Sequence, residues 1–305
     1  MSSEWIFAPL ENCLDALIDY RGKTPEKTSA GIPLITAKII KGGRIEKPTE
    51  FIAADNYDSW MRRGIPQEGD VVLTVEAPLG EVAQLGPEKI ALAQRVVTLR
   101  GKKGILDNSY LLYLLQTEEM LEQLKSRATG TTVLGIKQSE LRKVPLSLPP
   151  INQQKTAAQT LKILDERITL LNETNKTLEA IAQALFKSWF VDFDPVRAKA
   201  QGLEPEGMDA ATAALFPDSF EECAMGVVPK GWNVGVLADI ANLNPESWSA
   251  KKHPASVAYI DLANTKENVI SEVAEYPFED APSRARRILR NGDTIVGTVR
   301  PGNRS

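Results

Sequence analysis

The chain has 305 residues, of which 43% are apolar and 25% charged, and its formal net charge is −4. This length and composition suggest a globular protein of about two domains, and the slight acid excess excludes a protein that coats nucleic acid through bulk positive charge. No signal-peptide pattern and no apolar stretch approaching about 18 residues is present, so a cytoplasmic protein without a membrane span is expected. Cys13 and Cys223 lie far apart in the sequence, which predicts reduced, unpaired thiols.

Residues 1–150 consist of short β-rich segments between turns. The segments with strand character are residues 32–40, 69–75, 81–85 and 95–100. A helical stretch at residues 108–127 follows, and then two short apolar segments, VLGIK and VPLSLPP. This pattern predicts a mixed α and β domain of about 150 residues, and the chain as a whole is predicted to belong to the α+β class.

Residues 152–193 contain no glycine and no proline, which predicts an uninterrupted helix of about 40 residues, roughly 60 Å long. Its apolar residues alternate spacings of three and four, as in the a/d seam of a coiled coil. The seam consists of Leu161, Leu164, Ile168, Leu171, Asn175, Leu178, Ala182, Leu185 and Trp189. The helix is therefore predicted to pair with another helix.

Asn175 is the polar residue in this seam. At an a position a polar side chain costs stability but fixes the register and the number of helices. The alternative interpretation is that this stretch is an ordinary core helix in which Asn175 occurs by chance.

A second apolar stripe lies off the seam and predicts that more than one surface packs on the helix. This stripe consists of Ile163, Leu170, Ile181, Phe186, Trp189 and Phe190.

The C-terminal part of the sequence repeats the N-terminal part. Trp5 and Trp232 begin similar segments at an offset of 227, and Asp70 and Asp293 lie in similar segments at an offset of 223. A nearly constant offset predicts a second copy of the first domain. Only 12 residues follow Asp293, so this copy is expected to be partial. The predicted divisions are residues 1–150, 151–194, 195–230 as a linker, and 231–305.

The sequence does not assemble a catalytic site. His253 is the only histidine, so nucleophile activation by histidine has at most one candidate base. Neither a P-loop nor a G-x-G-x-x-G pattern occurs, and the carboxylates are scattered. The chain is predicted to be non-catalytic and to bind no metal.

The run AQALFKSWFVDFDPVRAK, residues 182–199, follows LPPINQQ and LKILDERITLLNETNKTLE. Together these stretches resemble the central conserved region of the DNA specificity (S) subunits of type I restriction-modification systems. The resemblance implies a helix between two target-recognition domains that pairs antiparallel with a second such helix. It also implies an S subunit that is C-terminally truncated, because this sequence contains one such helix and a partial second domain.

The resemblance implies three kinds of partner: double-stranded DNA, methyltransferase (M) subunits and restriction (R) subunits. S-adenosylmethionine, ATP and Mg²⁺ would then belong to the partner subunits, and this chain would bind no cofactor. The long helix of a second copy is expected to cover the seam and form a homodimer. Two alternatives remain open, a coiled-coil interaction protein without a nucleic-acid role and a truncated S subunit without function.

Phosphate contacts from Lys and Arg supply most DNA affinity, whereas side chains on base edges supply specificity. The candidate DNA-binding residues lie on turn-rich segments, and the last group, ATGTTVLGIKQSEL, resembles the Gly-Thr segment that closes recognition domains of this family. The candidates are Lys38, Lys41 and Arg44; Arg62 and Arg63; Lys102 and Lys103; and Arg127, Thr129, Gly130, Thr131 and Lys137. The target bases are not encoded in any motif of the sequence.

Overall fold

A computed structural model describes residues 4–22, 24–130, 133–224, 226–266 and 269–297. The chain divides into two compact units, Met1–Ala182 and Gln183–Ser305, and the division lies within the long helix. The predicted domain limits at residues 150, 194 and 230 stay predictions. In the described ranges, no helix is both long and apolar enough to cross a membrane.

The first unit contains a mixed set of strands and helices. In chain order they are β1 (Ile6–Pro9), α1 (Leu10–Cys13), β2 (Leu14–Asp19), β3 (Ile32–Ile35), β4 (Ile40–Lys41), β5 (Arg44–Ile45), β6 (Phe51–Ile52), α2 (Tyr57–Trp60), β7 (Val71–Val75), β8 (Leu79–Gln84), β9 (Ala91–Leu92), β10 (Val96–Gly101), α3 (Asn108–Leu115), α4 (Glu118–Ser126), α5 (Gln138–Arg142), β11 (Pro145–Leu148) and α6 (Ile151–Phe190). The predicted α+β class is confirmed.

A four-stranded antiparallel sheet in the order β2-β10-β7-β8 forms the centre of this unit. Alternate residues of a strand point to opposite faces, and here both faces are covered. Leu73 packs in one core with the helices, whereas its neighbour Val72 packs in a second core on the opposite face. This is why all five residues of β7 are buried, and why its sequence VVLTV shows no strict alternation of apolar and polar residues.

The first core lies between the sheet and the helices that follow it. The predicted helical stretch at 108–127 is two helices, α3 and α4, with a break at Gln116 and Thr117. Thr117 is the N-cap of α4, and its hydroxyl accepts a hydrogen bond from the Met120 backbone N–H at 3.3 Å. A capping threonine satisfies an otherwise unpaired N–H and so favours a new helix start at this point.

The second core lies between the sheet and a three-stranded sheet in the order β6-β3-β9. The predicted strand at residues 32–40 is shorter than expected. β3 ends at Ile35, a 3-10 turn follows at Ala37–Ile39, and β4 then pairs with β5 across Gly42-Gly43. Both glycines have positive φ, which other residues rarely adopt.

The predicted long helix is confirmed as α6, Ile151–Phe190. It ends three residues earlier than expected, because Phe193 adopts a left-handed conformation with φ of 58°. A second helix, α7 (Asp194–Ala200), begins there with Pro195 in its first turn, where proline needs no N–H partner. Asp194-Pro195 therefore starts a new helix rather than ending the long one.

The second unit contains short elements after α6. They are α7, α8 (Ala210–Ala213), β12 (Phe220–Cys223), β13 (Gly226–Pro229), α9 (Leu237–Ile240), β14 (Ser256–Tyr259), β15 (Thr265–Lys266), β16 (Val269–Ile270) and β17 (Ala274–Pro277). Residues 195–230, which were predicted as a linker, thus hold most of α7, the short helix α8 and a hairpin. Residues 292–297, which the repeat predicts as a strand like β7, are exposed and irregular.

The sequence repeat is visible in the structure. β14, a 3-10 turn at Leu262–Asn264, β15, β16 and β17 follow in the same order as β3, its 3-10 turn, β4, β5 and β6. Backbone hydrogen bonds recur as well, from Glu46 N–H to Ile39 O at 2.7 Å and from Ser271 N–H to Asn264 O at 2.8 Å. Likewise α9 corresponds to α1.

Candidate nucleic-acid interface

Residues 129–137, here called the Gly-Thr loop, are closed by main-chain hydrogen bonds. The Thr129 N–H donates to Gly135 O at 2.9 Å, and the Gly135 N–H donates back to Thr129 O at 3.0 Å. The Ile136 N–H donates to Val75 O at 3.0 Å, which fixes the loop to the end of β7. Gly130 is required because a Cβ there would approach Val133 O to 2.1 Å. Thr131 lies outside the described residues.

Arg21 supports this loop and was missed by the sequence analysis. Its Nη1 donates to Ile136 O at 2.6 Å, and its Nε and Nη2 hold Asp19 at the end of β2. Arg21, Thr129 and Lys137 line one groove of about 260 Å³. In the sequence, Arg21 is marked by an Asp-x-Arg triplet at the end of a strand. This triplet is too common to identify Arg21 as a residue that supports the loop.

The adjacent residues Arg62 and Arg63 differ in their contacts. Arg63 Nη1 donates to Arg21 O at 2.7 Å and Asp19 O at 3.2 Å, so this guanidinium holds the chain after β2. The Arg63 N–H also donates to the Tyr20 hydroxyl at 2.8 Å. Arg62 is exposed at the surface. Arg63 is exposed as well, so the two residues differ in that the Arg63 guanidinium is held by backbone carbonyls.

The remaining candidates lie at other places on the first unit. Lys38 is exposed, Lys41 pairs with Glu46 at 3.1 Å, and Arg44 Nη2 donates to Asp165 O of α6 at 3.3 Å. Lys102 and Lys103 are exposed in the turn after β10.

Arg127 lies 3.6 Å from Glu140, a carboxyl whose pKa is lowered mainly by Lys143 and further by Arg127. The structure thus brings together Arg127, Thr129, Gly130 and Lys137, but not the other candidates.

The start of α6 is fixed to the first unit by Gln154, which is fully buried. Its Oε1 accepts from the Asp107 N–H at 3.0 Å, and its Nε2 donates to Ile105 O at 2.9 Å and Pro149 O at 2.8 Å. The side chain thereby satisfies three backbone groups that burial would otherwise leave unpaired. From the sequence, Gln154 was indistinguishable from the exposed Gln153.

A second attachment lies three turns further along α6. The Tyr113 hydroxyl donates to Asp165 Oδ2 at 2.9 Å. Burial, together with this hydrogen bond and the Asp165 charge, raises the pKa of Tyr113 to about 12. Gln154 lies one heptad before Leu161, ahead of the seam, and Asp165 lies beside the seam rather than in it, so both attachments leave the seam leucines and isoleucines exposed.

The seam of α6 is open to solvent in this chain. Its leucine and isoleucine side chains are 42 to 58% exposed, and Asn175 is exposed as well. These residues are Leu161, Leu164, Ile168, Leu171, Leu178 and Leu185. The predicted helix pairing stays a prediction, and the face it requires is available.

The aromatic residues at the end of α6 pack within the second unit. Phe190 stacks on Trp232 with ring centroids 6.2 Å apart, and Trp189 meets Phe216 edge to face at 6.0 Å. Phe186 is 61% exposed and contacts Phe190. The sequence analysis predicted the cluster on the helix but not Phe216 and Trp232 as its partners.

His253 stacks on Phe278 at 3.7 Å in the small core of the second unit, which gives it a structural role. Within the described ranges, no group of three or more His, Cys, Asp or Glu side chains is arranged to hold a metal ion. Cys13 and Cys223 are free thiols, and burial raises the pKa of Cys13.

Comparison with known families supplies the decisive observation. Residues 20–180, more than half of the chain, match the family model of the type I restriction modification DNA specificity domain. The chain belongs to this specificity family. The predicted resemblance is therefore confirmed, and the match includes the Gly-Thr loop and most of α6.

Curated members of the specificity family are similar over part of their length. The type I restriction enzyme MjaIX specificity subunit of Methanocaldococcus jannaschii is 27% identical over 233 residues, which are 75% of this chain and 50% of that protein. The HindI specificity subunit of Haemophilus influenzae is 30% identical over 62% of this chain and 37% of its own length. The chain thus spans half or less of these two relatives.

Solved structures of the specificity family are also similar in part. The S subunit from M. genitalium aligns with a TM-score of 0.45 at 21% identity, over 66% of this chain and 50% of that one. The HsdS subunit from Thermoanaerobacter tengcongensis aligns with a TM-score of 0.42 at 20% identity, over 62% of this chain and 46% of that one.

Proposed function

We propose that this chain is a DNA-recognition subunit that directs methyltransferase (M) and restriction (R) subunits to a bipartite site. The observation that carries the proposal is the joining of a recognition domain to a 40-residue helix at Gln154 and Asp165, which leaves the seam from Leu161 onward exposed. Such an arrangement holds a DNA-reading surface in a set orientation while the seam remains free for another helix.

DNA recognition would centre on the Gly-Thr loop. The loop is fixed by backbone hydrogen bonds, so its side chains are free to contact bases. Lys137 and the neighbouring Lys125 are exposed and suit phosphate contacts, which give affinity without sequence preference. Lys38, Lys41, Arg44, Arg62, Lys102 and Lys103 remain candidates for further contacts.

The seam would pair with the same helix of a second copy in an antiparallel two-fold arrangement. A two-fold axis brings identical surfaces together, so each seam would cover the other. Burying a fully exposed leucine or isoleucine stabilises by about 1.5–3 kcal/mol, and these side chains are about half exposed. A homodimer would then read two copies of one half-site, which makes the expected target palindromic.

The chain itself would be non-catalytic. S-adenosylmethionine, ATP and Mg²⁺ would belong to the M and R subunits, and the complex would work in the cytoplasm. The open apolar surface at the end of α6, around Phe186, is the surface we assign to M-subunit docking.

A gel shift with the purified chain and an M subunit tests the recognition role. We expect binding to methylatable duplex DNA only when both proteins are present. The double change Arg127→Ala and Lys137→Ala should lower the salt slope by about one unit per lost phosphate contact, with unchanged base preference. The control is Lys230→Ala in the second unit. Failure of the chain to co-purify with the M subunit would contradict the proposal.

A second candidate is a coiled-coil interaction protein without a nucleic-acid role. It is favoured because several of the side chains proposed to bind DNA already have partners within the chain. Lys41 pairs with Glu46, Arg63 donates to backbone carbonyls, and Arg127 pairs with Glu140. This candidate predicts the same helix pairing but no salt-dependent DNA binding, so the gel shift distinguishes the two.

A further inference from the structure

Two apolar side chains of the Gly-Thr loop, Val133 and Leu134, face solvent. Val133 is 49% exposed and Leu134 is 40% exposed. They line a groove of about 360 Å³ together with Pro78 and Leu79, which lie where β7 turns into β8. We call these four residues the loop patch. Exposed apolar side chains grouped around a groove mark an interaction surface, whereas single ones are common on any protein.

The backbone under the loop patch is held in place. Leu134 directly precedes Gly135, which exchanges two backbone hydrogen bonds with Thr129. Gly135 also forms an antiparallel bridge with Glu76, just beyond the end of β7. Side chains on a backbone that is already ordered lose less conformational freedom on binding. The loop patch therefore suits the recognition of a group that comes to one defined place.

Exposed lysines flank the loop patch. Lys125 lines the same groove, and Lys137 lies in the adjoining groove, to which Val133 also contributes. Lys125 pairs with Glu122 at 2.9 Å across one turn of α4. Exposed pairs of this kind contribute little to stability, so Lys125 can exchange this carboxylate for another anion.

The other charged residues of the adjoining groove are Arg21 and Glu76, and both have partners. Arg21 is bound to Asp19 at 2.6 Å, and Glu76 lies 4.0 Å from Arg95. These charges are matched within the chain. The surface around the loop patch is therefore apolar at its centre and positive at its edges.

We propose that the loop patch reads the 5-methyl group of thymine in the major groove of the target DNA, with Val133 and Leu134 as specificity-determining residues. In that groove the base edges lie between rows of phosphates, so an apolar centre between lysines matches it. The thymine methyl is the apolar group that a base pair presents there. The inference rests on the proposed DNA-recognition role and adds the base that this part of the loop distinguishes.

The same side chains disfavour the other bases. Valine and leucine side chains can neither donate nor accept a hydrogen bond. Placed against the edge of guanine, adenine or cytosine, they would cover donors and acceptors that then lack a partner, which costs free energy. The loop patch therefore selects thymine both by attraction and by exclusion.

Selection from a randomised duplex pool, with the full chain and an M subunit, provides the DNA for the test. We expect a preferred sequence with at least one required thymine. Each thymine is then replaced singly by 2′-deoxyuridine, which lacks only the methyl group. At least one replacement should weaken binding about 3- to 10-fold, as expected when one methyl group loses an apolar contact. A preferred sequence without a required thymine, or one in which no replacement weakens binding, would overturn the proposal.

The double change Val133→Ser and Leu134→Ser tests whether the loop patch is the part of the chain that senses the methyl group. In this variant the thymine and deoxyuridine duplexes should bind equally, because the side chains that contact the methyl group are removed. The salt slope should stay unchanged, because Lys125 and Lys137 remain. Ile65→Ser, at a 58% exposed apolar position of the same unit, is the control and should keep the full deoxyuridine effect.

The remaining outcomes separate this inference from the proposed function. A deoxyuridine effect of equal size in the double variant contradicts thymine reading by the loop patch. Weaker binding to both duplexes by the same factor also contradicts it, and assigns Val133 and Leu134 to loop folding or to a wedge between base pairs. Loss of co-purification with the M subunit assigns the loop patch to that subunit and overturns our occupant. Absence of M-dependent DNA binding by the unchanged chain contradicts the recognition role itself.

Discussion

The two copies of the repeat share local structure but differ in their cores. In both, a glycine with positive φ precedes an aspartate whose carboxylate accepts a backbone N–H, at 2.8 Å for Asp70 and 2.7 Å for Asp293. After Asp70 the chain enters β7, the fully buried central strand, whereas after Asp293 it remains exposed. The turn therefore forms from neighbouring residues alone, whereas the buried strand β7 also has β10 and β8 as partners and a core on each face.

The cores differ in size accordingly. The first copy has two cores, one on each face of the four-stranded sheet. The second has one small core around Val257, Phe278, Ala281 and Ala285. Matched substitutions at corresponding positions of the two copies measure this difference directly.

The largest effect is expected for Leu73→Ala compared with Val296→Ala, at the offset of 223. Leu73 is fully buried, and removing such a side chain typically costs about 2–5 kcal/mol of unfolding free energy. Val296 is 72% exposed, so its change should cost less than about 0.5 kcal/mol. Urea unfolding followed by circular dichroism measures both. Similar losses would show that the two copies have comparable cores.

The second comparison concerns the turn aspartates. Asp70 is 1% exposed and accepts two hydrogen bonds from Arg100, both at 2.8 Å. Asp70→Ala leaves Arg100 without its carboxylate, which we expect to cost about 3 kcal/mol. Asp293→Ala removes an exposed turn contact and should cost less than about 1 kcal/mol. The same unfolding experiment decides, and an equal cost at both sites would contradict the assignment of Asp70 as a buried partner.

The attachment of α6 to the first copy should have an intermediate effect. Gln154→Ala leaves three buried backbone groups unpaired, and we expect a loss of about 2 kcal/mol together with faster hydrogen exchange in the first turns of α6. Gln153→Ala, at the exposed neighbouring position, is the control. Unchanged exchange in Gln154→Ala would mean that other contacts hold the helix start.

The smallest effect is a dependence on pH at Tyr113. Its pKa of about 12 lies above the value of about 10 expected in the unfolded chain. Tyrosine therefore favours folding below about pH 10, and that contribution decreases as the pH rises toward 12. The difference in unfolding free energy between the unchanged chain and Tyr113→Phe should shrink from pH 9 to about pH 11.5. A constant difference would exclude a contribution from this titration.

Sequence patterns predicted the positions of the central strands and of the long helix well, because one physical signal dominates in each. Short segments rich in valine, leucine and threonine identified β7 and β10, and the absence of glycine and proline identified α6 to within a few residues. The break at Thr117 and the new helix at Asp194 were missed, because each depends on how a single residue caps a helix.

The candidate site was predicted in part. The Gly-Thr loop was identified by its resemblance to a family segment, whereas Arg21, Gln154 and the Tyr113–Asp165 pair depend on segments that meet only in the folded chain. Arg63 was a candidate for DNA binding because of its charge, whereas the structure shows its guanidinium bound to the backbone carbonyls of Asp19 and Arg21.

The way the Gly-Thr loop is attached has a consequence for which of its residues can vary. Its anchors are main-chain groups of Thr129, Gly135, Ile136 and Val75, so they do not depend on the intervening side chains. Val133 and Leu134 within the loop are exposed. We therefore expect Val133 and Leu134 to accept other side chains without loss of the attachment, whereas Gly130 must remain a glycine.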